Sequence, residues 1–186
     1  MSEVYHHLNK NKIEVIKGEK IVMMSPAFSN HGFVNDNLLG LFRTYLKGQV
    51  CIPFGDGRKV VLEKGGYVIP DMFVVCDRSK VRADGVYGAP DLVVEVLSPS
   101  TRKHDRGVKK NLYQEYGVKE YWIVEPDIKV VEVYLLKDNT FEIDGVYSIP
   151  NELEPEEDRT AQDFTVGIFP ELVIKLEDVF EYVIDW

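Results

Sequence analysis

Three residues of this 186-residue chain could act together on a phosphodiester: Asp71, Glu95 and Lys109. Asp71 follows Pro70 and heads the apolar run Met72 to Cys76. Glu95 interrupts the aliphatic run Leu92 to Leu97, whose Val-rich composition predicts a strand buried on both faces of a sheet. Taking a carboxylate out of water costs several kcal/mol unless a cation, a metal or hydrogen-bond donors receive it, so Glu95 requires a partner. Two carboxylates and an amine suit Mg²⁺-assisted hydrolysis, with Asp71 and Glu95 as the metal ligands and Mn²⁺ as the expected substitute. Hard oxygen donors hold Mg²⁺ at about 2.0–2.1 Å and leave positions for water and phosphate. A lysine ammonium can orient that water or offset the developing charge, and this is the role expected of Lys109.

The elements around these residues follow from periodicity. Alternation puts Asp91, Val93, Glu95 and Leu97 on one face of the strand and Leu92, Val94 and Val96 on the other. Asp91 also follows a proline and competes with Asp71 as second ligand. Four residues of strand span about 13 Å, too far for both to reach one small ion, so Asp91 is assigned a structural role. Ser98-Pro99-Ser100-Thr101 breaks the strand and offers an N-cap, Arg102 to Tyr116 has helical composition, and Gly117 stops it. Lys109, Tyr113 and Tyr116 then share a helix face. Tyr121 to Val124 resumes a strand and Pro126 ends it, the sequence form of a parallel crossover. The structural alternative for Lys109 is an i, i+4 ion pair with Asp105 worth about 0.3–0.5 kcal/mol. His31, in the first turn of a helix capped by Ser29 or Asn30 and running to about Leu46, is a fourth catalytic candidate in a supporting role.

The remaining chain reads mainly as strands. Val4 to Met24 predicts a hairpin through Lys17-Gly18, closed by Ser25-Pro26. Gln49 to Pro53 and Arg58 to Leu62 predict two strands around Gly55-Asp56-Gly57, and Ser79 to Gly88 is a polar excursion. Ile128 to Leu136 and Thr140 to Val146 form a hairpin around Lys137-Asp138-Asn139. Asn151 to Thr160 is an acidic loop, Phe164 to Leu176 an edge strand carrying Pro170, and Glu177 to Tyr182 a short helix.

Composition narrows the function. With 45% hydrophobic and 11% aromatic residues, one packed domain across residues 1–186 is expected. A net charge of -9 excludes a protein that coats nucleic acid nonspecifically. Arg102, Lys103, Arg106, Lys109 and Lys110 nevertheless cluster against Asp105 alone, either as a solvated helix face or as the charge that answers Glu95. No apolar signal segment or membrane span is visible, so a cytoplasmic location with no membrane partner is expected. Cys51 and Cys76 lie in predicted strands and are expected as buried free thiols. Neither a G-x-x-x-x-G-K-[ST] loop nor a G-x-S-x-G elbow occurs.

Pro70-Asp71 followed 24 positions later by Glu95 resembles the PD-(D/E)XK nuclease signature. The wider text G-A-P-D-L-V-V-E-V-L-S-P-S-T, then D-R-G-V-K-K-N-L-Y-Q-E-Y-G-V-K-E-Y-W-I-V-E-P, closely resembles the Uma-two family of restriction endonucleases within that superfamily. The likeness extends to S-P-A-F-S-N-H and to F-P-E-L-V-I. It implies an α/β restriction-endonuclease-like fold: a mixed central sheet flanked by helices, with an N-terminal β-hairpin and extra C-terminal strands. It further implies a Mg²⁺-dependent endonuclease acting on nucleic acid, with DNA the expected substrate. In most such nucleases the lysine stands two residues after the acid, where this chain has Leu97. In the Uma-two group the lysine comes from the following helix and maps onto Lys109. His31 and Glu19, near the family-like N-terminal text, are candidate water-positioning residues. The alternatives are a catalytically silent nuclease-fold scaffold and a nuclease subunit that needs a partner protein. Cleavage of both strands would suit a homodimer.

Overall fold

The computed structural model describes residues 12–23, 30–150 and 163–184. The expected Ser25-Pro26 closure, the Ser29 cap, the acidic loop at 151–160 and the start of the N-terminal hairpin lie outside the described residues. Strands β1 (Lys12–Ile16) and β2 (Glu19–Met23) form the predicted hairpin, with Lys17 and Gly18 both at positive φ in its turn. Helix α1 (Asn30–Tyr45) follows, then β3 (Ile52–Gly55), β4 (Val60–Leu62), β5 (Gly66–Val68), β6 (Met72–Val75), β7 (Val81–Arg82), β8 (Gly85–Tyr87) and β9 (Leu92–Val96).

The crossover after β9 is helical but irregular. It begins as α2 (Arg102–His104), widens into a π-helical turn (Asp105–Lys109) and continues as α3 (Lys110–Glu115), with Gly117 at φ 78° as its stop. Strand β10 (Glu120–Glu125) then lies parallel to β9, as the strand–helix–strand pattern requires. Strands β11 (Val130–Lys137) and β12 (Thr140–Ser148) form the expected hairpin, with Asp138 and Asn139 at positive φ. The chain finishes with β13 (Phe164–Val166), β14 (Phe169–Ile174) and α4 (Leu176–Val179). One edge strand was expected over 164–176. The chain instead turns at Gly167 and pairs the two halves antiparallel.

The central sheet has the order β12-β11-β10-β9-β6-β3 and is mixed, as expected. A second six-stranded sheet, β2-β1-β5-β4-β8-β7, was not foreseen. Strands β3 and β4, adjacent in sequence, belong to different sheets because the Asp56-Gly57 turn carries the chain from one to the other. Gly66 makes the second sheet possible. It sits at φ 88°, and a Cβ there would come within 2.0 Å of the Val15 carbonyl oxygen, so only glycine allows β5 against β1.

Every residue of β9 and β10 is buried, which explains their near-continuous apolar text. Leu92, Val94, Val96 and Trp122 pack on one side with Val34, Leu38 and Phe42 of α1 and with the C-terminal hairpin. Val93, Leu97, Tyr121 and Ile123 pack on the other with Leu112 and Tyr113 of α3 and with Ile16, Leu62 and Val68 of the second sheet. Glu95 belongs to this second side, enclosed between helix and second sheet. Cys51 and Cys76 stand one step beyond the Ile52–Val75 pair of β3 and β6 and are joined by a disulfide, not present as free thiols. Antiparallel pairing brings their side chains face to face, a relation that spacing in the sequence does not reveal. No helix among the described residues is long and apolar enough to cross a membrane.

Candidate active site

Strand β9 carries Glu95 into the layer between helix and second sheet, where it is 1% exposed. The Tyr113 hydroxyl donates to Glu95 Oε1 at 2.6 Å, and Lys109 Nζ lies 3.1 Å from the same oxygen. Lys109, itself 1% exposed, also reaches Asp105 Oδ1 at 3.2 Å and Glu14 Oε1 at 3.3 Å. Helix, central sheet and second sheet are thus joined through one amine. The π-helical turn supports this arrangement. Asp105 and Lys109, at its two ends, both face inward, and the Asp105 carbonyl accepts a hydrogen bond from the Tyr121 hydroxyl at 2.9 Å.

Charge states follow from burial and neighbours. Burial pushes the Glu95 carboxyl well above its usual range, against the pull of Lys109 and reinforced by Asp105, Asp71 and Glu14. Glu14 and Asp105 are also raised, by burial. Burial would lower Lys109, but Glu95, Asp105 and Glu14 outweigh it and hold the ammonium charged. Glu14 Oε1 accepts the Ile69 backbone N–H at 2.7 Å, while its Oε2 is buried with no hydrogen-bond partner among the described residues.

Asp71 stands one residue before the Met72–Val94 pair of β6 and β9, so the antiparallel register sets it beside Glu95. Its Oδ2 accepts the Val96 N–H at 2.9 Å and lies 3.1 Å from His31 Nε2, and its Oδ1 lies 3.3 Å from Lys12 Nζ. Burial favours the neutral acid, but the hydrogen bond and charge of His31, with Lys12 and Lys109, hold Asp71 far below its usual range. For His31, the bond to Asp71 overcomes burial and raises the imidazole above its ordinary value. Lys12 is raised as well, because Asp71 and Asp56 outweigh its desolvation.

The four sequence candidates thus fall into two adjacent clusters, Asp71 with His31 and Glu95 with Lys109, set side by side by the register of β6 and β9. Lys109 forms the i, i+4 pair with Asp105 that the structural alternative expects, and it also lies within ion-pair reach of Glu95. Asp91 is structural, accepting from Cys76 N at 2.8 Å and pairing with Lys119 at 2.8 Å. Glu19 does not join the site. It is exposed at the hairpin end opposite Ile16, and Glu14 on the neighbouring strand points inward in its place. Of the other helix cations, Arg102 pairs with Glu125, Arg106 with Glu125 and Glu132, and Lys110 sits over the Tyr134 ring. The basic run thus serves the helix–sheet junction as well as Glu95.

The donors suit a hard divalent ion. Glu14, Asp71, Glu95 and Asp105 bring four carboxyls against Lys12, Lys109 and His31, and one buried Glu14 oxygen is unpartnered. Among the described residues no group of three or more acid, histidine or cysteine side chains is placed to hold a metal ion.

The architecture is of the restriction-endonuclease-like α/β class. A crystal structure described as "a putative nuclease belonging to DUF820" from Anabaena variabilis superposes with a TM-score of 0.71 over 97% of this chain and 96% of that one, at 21% identity. The chain belongs to the Uma2 family, described as "Putative restriction endonuclease", whose match spans residues 2–174. An uncharacterized protein of Synechocystis sp. is 32% identical over 132 residues, covering 70% of this chain and 69% of that protein.

Proposed function

We propose that the protein is a Mg²⁺-dependent endonuclease that hydrolyses phosphodiester bonds in nucleic acid, with DNA as its substrate. The observation that carries this reading is the approach of Lys109 Nζ to Glu95 Oε1, 3.1 Å, from a helix that supplies the amine missing at Leu97. Asp71 and Glu95 would hold the ion. A divalent ion bound there would acidify water and neutralise charge on the phosphate. Lys109 offers its ammonium to the attacking water or to the developing negative charge. His31 donates to Asp71 Oδ2 and fixes that carboxylate in its ionised form, a positioning role.

The test is cleavage of plasmid, single-stranded DNA and RNA by protein freed of contaminating nucleases, with Mg²⁺ or Mn²⁺. DNA should be cut, with activity lost in Glu95→Gln and Lys109→Met. Intact substrates under all these conditions would overturn the proposal. A second reading has support of its own, because Glu95 Oε1 already receives both Tyr113 and Lys109 and the network could serve as a buried structural junction. A silent scaffold would gain no thermal stability from Mg²⁺, whereas a metal site would.

A further inference from the structure

A cavity of about 310 Å³ opens at the second sheet, lined by Phe54, Arg58, Lys59, Ile69, Val81 and Arg82. Its chemistry has two parts. One wall is apolar, through Phe54, Ile69 and Val81, and the mouth carries three exposed cations in a chain whose net charge is -9. Among the described residues none of these cations is paired with a carboxylate. Lys59 Nζ lies 4.5 Å from the Tyr67 ring centre and the Arg82 guanidinium 4.1 Å from that of Tyr87, so aromatic rings support both. Asp84, also at the rim, accepts from the Tyr87 hydroxyl at 2.8 Å.

The cavity and the acid network share backbone. Ile69 lines the cavity while its N–H donates to Glu14 Oε1, and Asp71 follows two residues later, about 7 Å along extended chain. Gly57 also lines it, next to Asp56, which pairs with the Lys12 that touches Asp71. The cavity is thus tied to the acids through the chain at Ile69 and Gly57, while Glu14, Asp71, Glu95 and Asp105 themselves do not line it.

We propose that this cavity receives one nucleotide of a nucleic acid strand, adjacent to the bond cleaved at Asp71 and Glu95. Arg58, Lys59 and Arg82 face its phosphate, and Phe54, Ile69 and Val81 face its sugar or base. The inference rests on the nuclease reading and adds the form of the substrate. At the lower end of small-molecule pocket volumes the cavity admits one nucleotide and not a stacked pair, so the strand entering it is unpaired. Cations for the backbone beside an apolar face for a base are the recurring elements of single-strand recognition.

The experiment is titration of a fluorescently labelled single-stranded oligonucleotide in EDTA, where cleavage is absent, at several salt concentrations. Arg58→Glu/Arg82→Glu should weaken binding about tenfold or more and reduce the log–log salt slope by about 1.4, the value for two lost phosphate contacts on a single strand. Both side chains are exposed, so the thermal midpoint should be unchanged, and Arg58→Gln/Arg82→Gln should show a smaller loss in the same direction. The wild type should bind the matching duplex more weakly than the single strand. Unchanged affinity and slope in the charge-reversed protein overturn the inference, as does wild-type protein that binds no oligonucleotide. Cleavage is read separately. Protein that binds through the cavity but never cuts removes the nuclease reading alone, and protein that cuts with the KM of the charge-reversed variant unchanged removes the cavity alone.

Discussion

Lys109 and Glu95 meet at 3.1 Å although they stand fourteen positions apart on different elements, and the π-helical turn between Asp105 and Lys109 lies at that meeting. The wide turn places both of its ends toward the sheet, so one ammonium answers Glu14, Glu95 and Asp105 together. A buried charge of this kind contributes less through attraction than through the cost of leaving its partners alone.

Replacing Lys109 with Met leaves three buried acids without a shared cation. The expected loss is about 3–5 kcal/mol in urea unfolding at neutral pH. It should shrink in acid, where the orphaned carboxyls can take up protons, and adding Glu95→Gln should recover part of it. Cleavage by Lys109→Met should fall about 10²-fold or more. A loss below about 1 kcal/mol would mean that the amine is solvated and the enclosure described here is wrong.

Metal binding should appear as stability. At tenfold excess over its dissociation constant, Mg²⁺ should stabilise the wild type by about 1.4 kcal/mol, and both Asp71→Asn and Glu95→Gln should abolish the response. Differential scanning calorimetry with and without Mg²⁺ reads this directly. A Mg²⁺ response that survives both substitutions would place the ion elsewhere.

Much of this was legible in the sequence because it depends on local periodicity. An acid within Leu92 to Leu97, a helix stopped by Gly117 and a second apolar strand are enough to give the parallel crossover and to aim Lys109 at Glu95. The second sheet was not legible, since β4, β5 and β8 are short and are recruited by pairing with the hairpin. Glu14 was hidden for the same reason. It sits between Ile13 and Val15 in an alternating run, where a charged residue reads as the solvent face, yet Glu14 and Ile16 are the residues that point inward. The disulfide and the π-helical turn also depend on packing between elements that no local pattern records.

Glu14 separates structure from function. Its raised carboxyl pKa means that the fold favours the protonated form, so this contribution to stability is present below about pH 4.5 and is lost as pH rises through the folded value. Glu14→Gln imitates that neutral form and keeps an oxygen for the Ile69 N–H. Its stability at pH 7 should therefore stay within about 1 kcal/mol of wild type, far less than the loss for Lys109→Met. Cleavage should nonetheless drop, because the amide puts an N–H₂ donor where the unpartnered Glu14 Oε2 stands and so removes an acceptor from the site. Full activity in Glu14→Gln would confine Glu14 to packing.

The junction of helix and sheet supplies a pH dependence outside the acid network. Arg106 grips Glu132 with both arms, Nη1 to Oε2 at 3.0 Å and Nη2 to Oε1 at 2.6 Å, and the Tyr134 hydroxyl donates to Oε2 at 2.7 Å. Partial burial opposes ionisation, but these bonds outweigh it and lower the Glu132 carboxyl below its ordinary value. A lowered carboxyl stabilises the fold above its unfolded value near pH 4.5, and that contribution is lost as pH falls through the folded value. Arg106 is partly exposed, so the contribution is about 1 kcal/mol at most. Glu132→Gln should therefore lower stability by up to about that amount at pH 7 and flatten the acid limb of the stability–pH curve below pH 4.5, as measured by urea unfolding across the range. Parallel wild-type and Glu132→Gln curves from neutral to acid pH would show that Arg106 draws no stability from the pair.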